Sequence, residues 1–277
     1  VLVSVLTNQY TNLTPSPLTL KNIKSLEQEN TFTVTTGHQL NIFTGPLYFL
    51  YKIISTINLA KQLKQSYPDC NFVPIYWMAT EDHDFEEINY FNFKGKKIKW
   101  NKSSSGAVGA LSTEGLKDVF EVFSKEIGVG KNAEYLKNLF SKAYLNHDNL
   151  AKATRFLADE LFSDYGLVIL DANNSELKRQ FIPFIKEELL NETSFKLVSE
   201  TNKQINALSK DYQIQVNPRE INLFYLAENL RERIVFENGK YKVVNTNISW
   251  SKEVILKEVE MYPERFSPNV IMRPLYQ

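Results

Sequence analysis

Thr31–Lys52 reads TFTVTTGHQLNIFTGPLYFLYK, and Phe72–Glu87 reads FVPIYWMATEDHDFEE. In both, a short apolar run stops at polar residues able to bind phosphate, take up a proton or hold a cation. Phe32–Thr36 has the β-branched composition of a strand, which Gly37-His38-Gln39 breaks. Thr44-Gly45-Pro46 restarts the chain as a helix, with Thr44 or Gly45 as N-cap and Pro46 first in the helix, where a missing N–H costs nothing. Leu47, Leu50, Ile53 or Ile54, Ile57, Ala60 and Leu63 recur at helical spacing and define one buried face running to about Gln65. Phe72–Ala79 is then a strand apolar on both faces, as a parallel strand covered by helices must be. Strand, helix, strand makes a right-handed βαβ unit. Open parallel sheets bind ligands beyond the carboxyl ends of their strands. The expected site is that edge.

Outward from this unit, Val1–Glu29 is a polar lead-in. Ile88–Phe93 and Lys97–Trp100 alternate around Lys94-Gly95-Lys96, a hairpin pattern, and Gly106–Leu111 reads as an edge strand. Helices follow near Glu114–Ile127, Ala133–Leu145 and Asn149–Tyr165, then the buried strand Gly166–Asp171, then helices near Glu176–Leu190 and Ser194–Lys210. Leu223–Ala227, Arg231–Phe236 and Lys240–Asn245 form an antiparallel set with Asn238-Gly239 as its turn. Lys252–Glu260 is a short helix and Asn269–Met272 a last strand. The expected organisation is one α/β core over 1–277, a parallel sheet with helices on both faces. Inserted elements occupy about 88–111 and 222–246.

Thirty-two basic residues balance 32 acidic ones, so no global field favours nucleic acid or an anionic membrane. No apolar run reaches the roughly 18 residues of a membrane span. The single Cys70 excludes an internal disulfide and fits a reducing cytoplasm. The chain opens at Val1 and stops at Arg273-Pro274-Leu275-Tyr276-Gln277, so the expectation is a piece of a longer protein.

His38, one residue past a strand, is either a ligand contact or a histidine tied to its own loop. Thr44, Gly45 and the N–H groups after Pro46 are either an anion site or an ordinary helix cap. Lys52 is expected to face solvent. In Glu81-Asp82-His83-Asp84, three carboxylates and an imidazole could bind Mg²⁺, accept an ammonium group or act as a base. If the strand continues, Asp82 would share a side with Asp84, and Glu81 with His83; the other reading is a turn capped by its own Asp side chains. Three histidines in all, with His147 apart, make a zinc site a poor expectation, and no metal site is assigned. Asp171 either holds a ribose hydroxyl or caps the next helix, with Asn173 beside it. Arg273 suits phosphate or carboxylate. Lys94, Lys96, Lys97, Lys99 and Lys102 read as a solvated hairpin rather than a nucleic-acid surface. Walker A, G-x-S-x-G and paired-cysteine motifs are absent.

TTGHQLNIFTGPLYFLYKIISTI, VPIYWMATEDHDFEEIN, NLFYLAENLRERI and RFSPNVIMRPLYQ resemble, in order, signature blocks of the BshC family, cysteine ligases of bacillithiol biosynthesis. The resemblance covers almost the whole chain. It implies a Rossmann-like core similar to nucleotidylyltransferases and class I aminoacyl-tRNA synthetases. A C-terminal coiled coil, absent here, would make the full-length protein a homodimer. The implied reaction joins the carboxyl of L-cysteine to the amino group of glucosaminyl-malate. ATP would be the co-substrate that activates the carboxyl, with Mg²⁺ a candidate companion, and the enzyme would be cytoplasmic. In the synthetase-like superfamily a histidine-and-glycine signature at this place holds ATP phosphates; here Gly37-His38 has one histidine where that signature has two. On this resemblance His38, Asp82, His83 and Asp84 are the candidate catalytic residues. Gly37, Gln39, Thr44, Gly45, Asp171, Asn173 and Arg273 are candidate substrate or nucleotide contacts. The alternatives are a nucleotidylyltransferase acting on another small acceptor and a nucleotide-binding domain without catalysis of its own.

Overall fold

Thr31–His38 (β1) and Asn71–Met78 (β2) pair in parallel, Thr31 opposite Asn71 and His38 opposite Met78, in the computed structural model, which describes residues 1–209 and 211–277. Val168–Asp171 (β5) pairs on the other side of β2, again in parallel, with Asp171 opposite Met78. The sheet order is therefore β1-β2-β5, and all three strands end at one edge. Every residue from Val73 to Met78 is buried, so the central strand is covered on both faces, as its unbroken apolar run requires.

Tyr48–Ser66 (α3) returns from the end of β1 and packs on β1 and β2. It buries Phe49, Ile53, Thr56, Ile57 and Ala60. Of the expected face, Ile53 (rather than Ile54), Ile57 and Ala60 are inside, whereas Leu47 is exposed and Leu50 and Leu63 are only half-buried. The helix starts one residue after Leu47 and turns Phe49 inward. Each fully buried Ile or Phe contributes roughly 1.5–3 kcal/mol. Leu2–Gln9 (α1), Pro17–Ser25 (α2) and Leu150–Phe162 (α7) pack around β5, α2 also reaching β2. Ser16 caps α2 by accepting from Thr19 N and lends its own N–H to the Ser163 hydroxyl. Phe85–Ile88 (α4) leads into the hairpin of Tyr90–Phe93 (β3) and Lys96–Lys99 (β4), turned by Lys94 and Gly95, both at positive φ. Leu116–Ile127 (α5) and Lys131–Tyr144 (α6) complete this unit, Val1–Ala172.

Asn173–Gln277 forms a second compact unit. Ser175–Asn191 (α8) and Thr193–Leu208 (α9) precede an antiparallel sheet of Leu223–Ala227 (β6), Leu230–Glu237 (β7), Lys240–Val243 (β8), Ser249–Trp250 (β9) and Phe266–Pro268 (β10), in the order β10-β6-β7-β8-β9. Lys252–Met261 (α10) and Arg273–Tyr276 (α11) accompany it. Phe181, Ile185 and Leu189 of α8 share a core with Leu223, Tyr225, Ile234, Tyr241 and Val243 of the sheet and with Ile255 and Val259 of α10. Glu188 is buried and satisfied: one carboxylate oxygen accepts from Asn222 N and Nδ2 at 3.0 and 2.8 Å, the other from Ser194 N at 3.0 Å. A buried charge survives only with such a donor set. The helix expected over Ser194–Lys210 runs as α9 to Leu208; Lys210 lies outside the described residues.

Two expected strands take other forms. Asn269–Met272 is a turn, because Asn269 Oδ1 accepts from Ile271 N and its carbonyl from Arg273 N, which starts α11; the strand is Phe266–Pro268 instead. Gly106–Leu111 contains a single 3₁₀ turn, Val108–Ala110, docked on the segment after β2: Val108 N donates to Asp82 O at 2.7 Å and Gly109 N to Thr80 O at 2.9 Å. The approach is close enough that a Cβ on Gly109 would lie 2.7 Å from Thr80 Cβ and 2.9 Å from its carbonyl oxygen. Gly109→Ala should therefore destabilise the fold by roughly 1–3 kcal/mol, seen as a lower urea midpoint at constant slope. An unchanged midpoint would contradict this docking.

Candidate functional site at the sheet edge

His38 closes β1, and its carbonyl accepts from Ala79 N at 3.0 Å, extending the β1–β2 ladder by one bond. The imidazole is half-buried in a corner of α3, edge-on to Phe49 (ring centroids 5.2 Å apart) and near Tyr48 (5.9 Å). Nδ1 lies 3.1 Å from the Gln39 carbonyl oxygen. A carbonyl only accepts, so neutral His38 carries its proton on Nδ1 and leaves Nε2 as the basic nitrogen. Burial pushes the imidazole below its ordinary range, and the Lys52 ammonium pushes the same way; the Gln39 carbonyl and the Asn41 carboxamide oppose them. Asn41 is buried beside the ring, with Nδ2 donating to Glu87 O at 3.2 Å and Oδ1 lacking a hydrogen bond of proper geometry.

Gln39 reaches across to the second stretch. Its Nε2 donates to Asp82 Oδ2 at 3.2 Å and to Glu87 Oε2 at 2.8 Å. Below it, the buried Tyr76 hydroxyl donates to the carbonyls of His38 and Gln39 at 3.3 and 3.4 Å. The chain after β2 does not stay extended: residues 80 and 81 turn, and α4 begins at Phe85. The strand alternation expected for residues 81–84 therefore does not apply. Asp82, His83 and Asp84 cluster instead, each offering one ligand atom within 4.8 Å of the others. His83 Nδ1 stands 3.4 Å from Asp82 Oδ1 and 3.6 Å from Asp84 Oδ1, and His83 N donates to Asp82 Oδ1 at 2.8 Å. Asp82 is half-buried, whereas His83 and Asp84 face solvent.

Asp171, at the end of β5, joins the same edge through Thr80, whose hydroxyl donates to Asp171 Oδ1 at 2.6 Å. Its backbone is pinned by Gln9, which donates to Asp171 O and accepts from Asp171 N. Gln9 is in turn held by the buried Arg155 at 2.8 Å. Asp171 does not cap α8; Asn174 does, accepting from Glu176 N and Leu177 N. Asn173 and Arg273 belong to the second unit, Arg273 as the first residue of α11.

The loop between His38 and α3 departs from the expected cap. Phe43, Thr44 and Gly45 all have positive φ (47°, 67° and 52°), and α3 starts at Tyr48 with Leu47 as N-cap. Thr44 and Gly45 thus precede the helix rather than cap it. Left-handed Phe43 is held by its neighbours: its ring packs on Phe91, Phe123 and Phe140, and its N–H donates to the buried Tyr144 hydroxyl at 2.7 Å. Gly45 is required as glycine, since a Cβ there would lie 2.5 Å from Asn41 Cβ.

One residue read as solvent-facing is drawn in. Lys52, one turn along α3 from Tyr48, is half-buried and donates to the Gly37 carbonyl at 2.5 Å, with its ammonium 5.3 Å from the Tyr48 ring centroid. Burial lowers it from the ordinary lysine range. Its position flanking the buried stripe, three residues after Phe49, was the available signal. The hairpin lysines are engaged locally: Lys96 pairs with Glu126, Lys99 with Glu86, and Lys97 lies on the Tyr90 ring.

Comparison with known proteins agrees with this architecture. The model of the family "Bacillithiol biosynthesis BshC, N-terminal Rossmann-like domain" matches residues 1–277. A protein of Flavobacterium johnsoniae named "Putative cysteine ligase BshC" is 65% identical over 276 residues, covering 100% of this chain and 51% of its own length. Proteins of the same name from Bacillus cereus (strain AH187) and Staphylococcus saprophyticus are 34% and 31% identical over 298 and 290 residues, each covering 100% of this chain and 53% of its own length. The chain spans about half the length of the curated relatives it matches. Among the described residues no helix is long and apolar enough to cross a membrane. The parallel sheet and the full-length match agree: the chain belongs to the BshC family, as its N-terminal Rossmann-like domain.

Proposed function

We propose that the full-length protein is a cytoplasmic ligase joining the carboxyl of L-cysteine to the amino group of glucosaminyl-malate, with ATP activating the carboxyl. The observation that supports this reading most is the meeting of His38, Gln39 and Asp82 at one sheet edge, spanned by the Gln39 bond to Asp82. Three tasks follow from the chemistry. A carboxylate must gain a better leaving group, by attack of its oxygen on the α-phosphorus of ATP with release of pyrophosphate. The acceptor ammonium must lose a proton before its nitrogen attacks the acyl carbon and expels AMP. Charge on the phosphates must be met by donors.

His38 suits the second task. Its Nδ1 proton is committed to the Gln39 carbonyl, burial and Lys52 keep the ring neutral, and Nε2 can accept the proton. Asp82 and Asp84 supply carboxylate oxygens of the kind a hydrated Mg²⁺ takes, and would hold the ion that offsets phosphate charge when ATP is bound. Gln39 fixes Asp82 for that role. Thr80 and Asp171 present a hydroxyl–carboxylate pair suited to a ribose.

Cysteine-dependent exchange of label between pyrophosphate and ATP tests the reading in the full-length protein. His38→Ala and Asp84→Ala should each lower bacillithiol formation by about 100-fold or more with unfolding midpoints preserved. Normal turnover in both variants would remove this site. Product without exchange would remove adenylation and leave ligation.

The pH profile gives a separate check. Because His38 is held below 6.5, its basic form persists to lower pH than an exposed histidine would allow. The acid limb of kcat/KM should therefore fall below pH 6.5, and a limb centred above pH 7 would contradict His38 as the base.

A further inference from the structure

Lys52 is a cation with a single hydrogen bond and no ion pair among the described residues. Its bond partner explains how it is held but not why it is a lysine. The His38 carbonyl faces β2, where it accepts from Ala79 N. Carbonyls alternate along a strand, so that of Gly37 faces the open side of β1, the edge strand of the sheet. Water or a neutral side chain could satisfy an outward carbonyl. Placing an ammonium there costs desolvation and also disfavours a charge on the neighbouring imidazole.

The carboxylates at this edge have partners of their own. Gln39 engages Asp82 and Glu87, and His83 lies between Asp82 and Asp84. Two of the three ammonium protons have no partner among the described residues, and the side chain is only half-buried, so they remain open to a ligand. Tyr48, four residues back on the same helix face, flanks both the ammonium and the His38 ring. The corner thus presents a fixed positive charge, a neutral imidazole and an aromatic wall.

We propose that Lys52 is the anion-recognising residue of this edge, presenting its ammonium to a phosphate or carboxylate oxygen of a substrate beside His38. This rests on the ligase reading only for the identity of that substrate. Under it, the same chemistry comes from two sources, the phosphates of ATP and the malate carboxylates of the acceptor. A charge-assisted contact of this kind corresponds to about 10- to 100-fold in affinity.

The test is calorimetric titration of the full-length protein with inorganic pyrophosphate and, separately, with L-malate, in wild type, Lys52→Gln, Lys52→Met and Lys52→Arg. One probe should bind wild type, weaken at least about tenfold in both neutral variants, and recover most of its affinity in Lys52→Arg. Loss of pyrophosphate binding with a raised KM for ATP assigns the nucleotide; loss of malate binding with a raised KM for the acceptor assigns the sugar. Failure of wild type to bind either probe, or equal affinity in the neutral variants, overturns the proposal. So does a drop in unfolding midpoint in all three variants with binding unchanged, which marks Lys52 as structural. If ligase activity is absent yet pyrophosphate binding is lost in Lys52→Gln, the anion site stands and the ligase reading falls.

Discussion

Parallel, in-register pairing of β1 with β2 is the constraint on which the rest of the first unit depends. Two strands that start on the same side must also finish on the same side, so chain segments far apart in number emerge together. Gly37-His38-Gln39, Thr80–Asp84 and Asp171 share an edge for that reason. A slip of β1 by one residue against β2 would turn β1 over. His38 would leave the corner formed by Tyr48 and Phe49, and Gly37 would offer Lys52 no outward carbonyl.

Around this frame, opposite charges are kept apart rather than paired off. Lys52 leans on a carbonyl and a tyrosine ring, while Asp82 and Glu87 lean on the neutral amide of Gln39. Direct Lys–Asp pairs would have satisfied both groups and left little for a ligand to gain. The edge thus holds a positive corner at Lys52 and an acidic cluster at Asp82 and Asp84. The docking of Val108 and Gly109 on Asp82 and Thr80 holds the acidic segment against the sheet.

Much of this was legible in the residues. The β-branched run before Gly37, the apolar run before Glu81 and the periodicity of α3 from Ile53 to Ala60 are local signals, and the two strands and the body of the helix formed where those signals stood. What escaped depended on neighbours distant in sequence. Phe43 and Thr44 adopt left-handed φ that neither residue favours, and only the aromatic cluster with the Tyr144 hydroxyl explains it; this moved the start of α3 past the expected cap. Lys52 sits at the border of a helical stripe, where only a facing strand decides between solvent and site. Gly106–Leu111 carries strand-like spacing, yet Gly109 has no Cβ to prevent its docking on Thr80. The Asp82, His83 and Asp84 cluster exists because the chain turns at residues 80 and 81, which residue types alone left open.

Hydrogen–deuterium exchange on the full-length protein, with and without ATP, magnesium and L-cysteine, tests the sheet edge as the ligand site most directly. The expected result is added protection in peptides covering residues 37–52 and 79–84, with the hairpin at residues 90–99 unchanged. Protection confined to other segments, with these two stretches exchanging as in the free protein, would contradict the account.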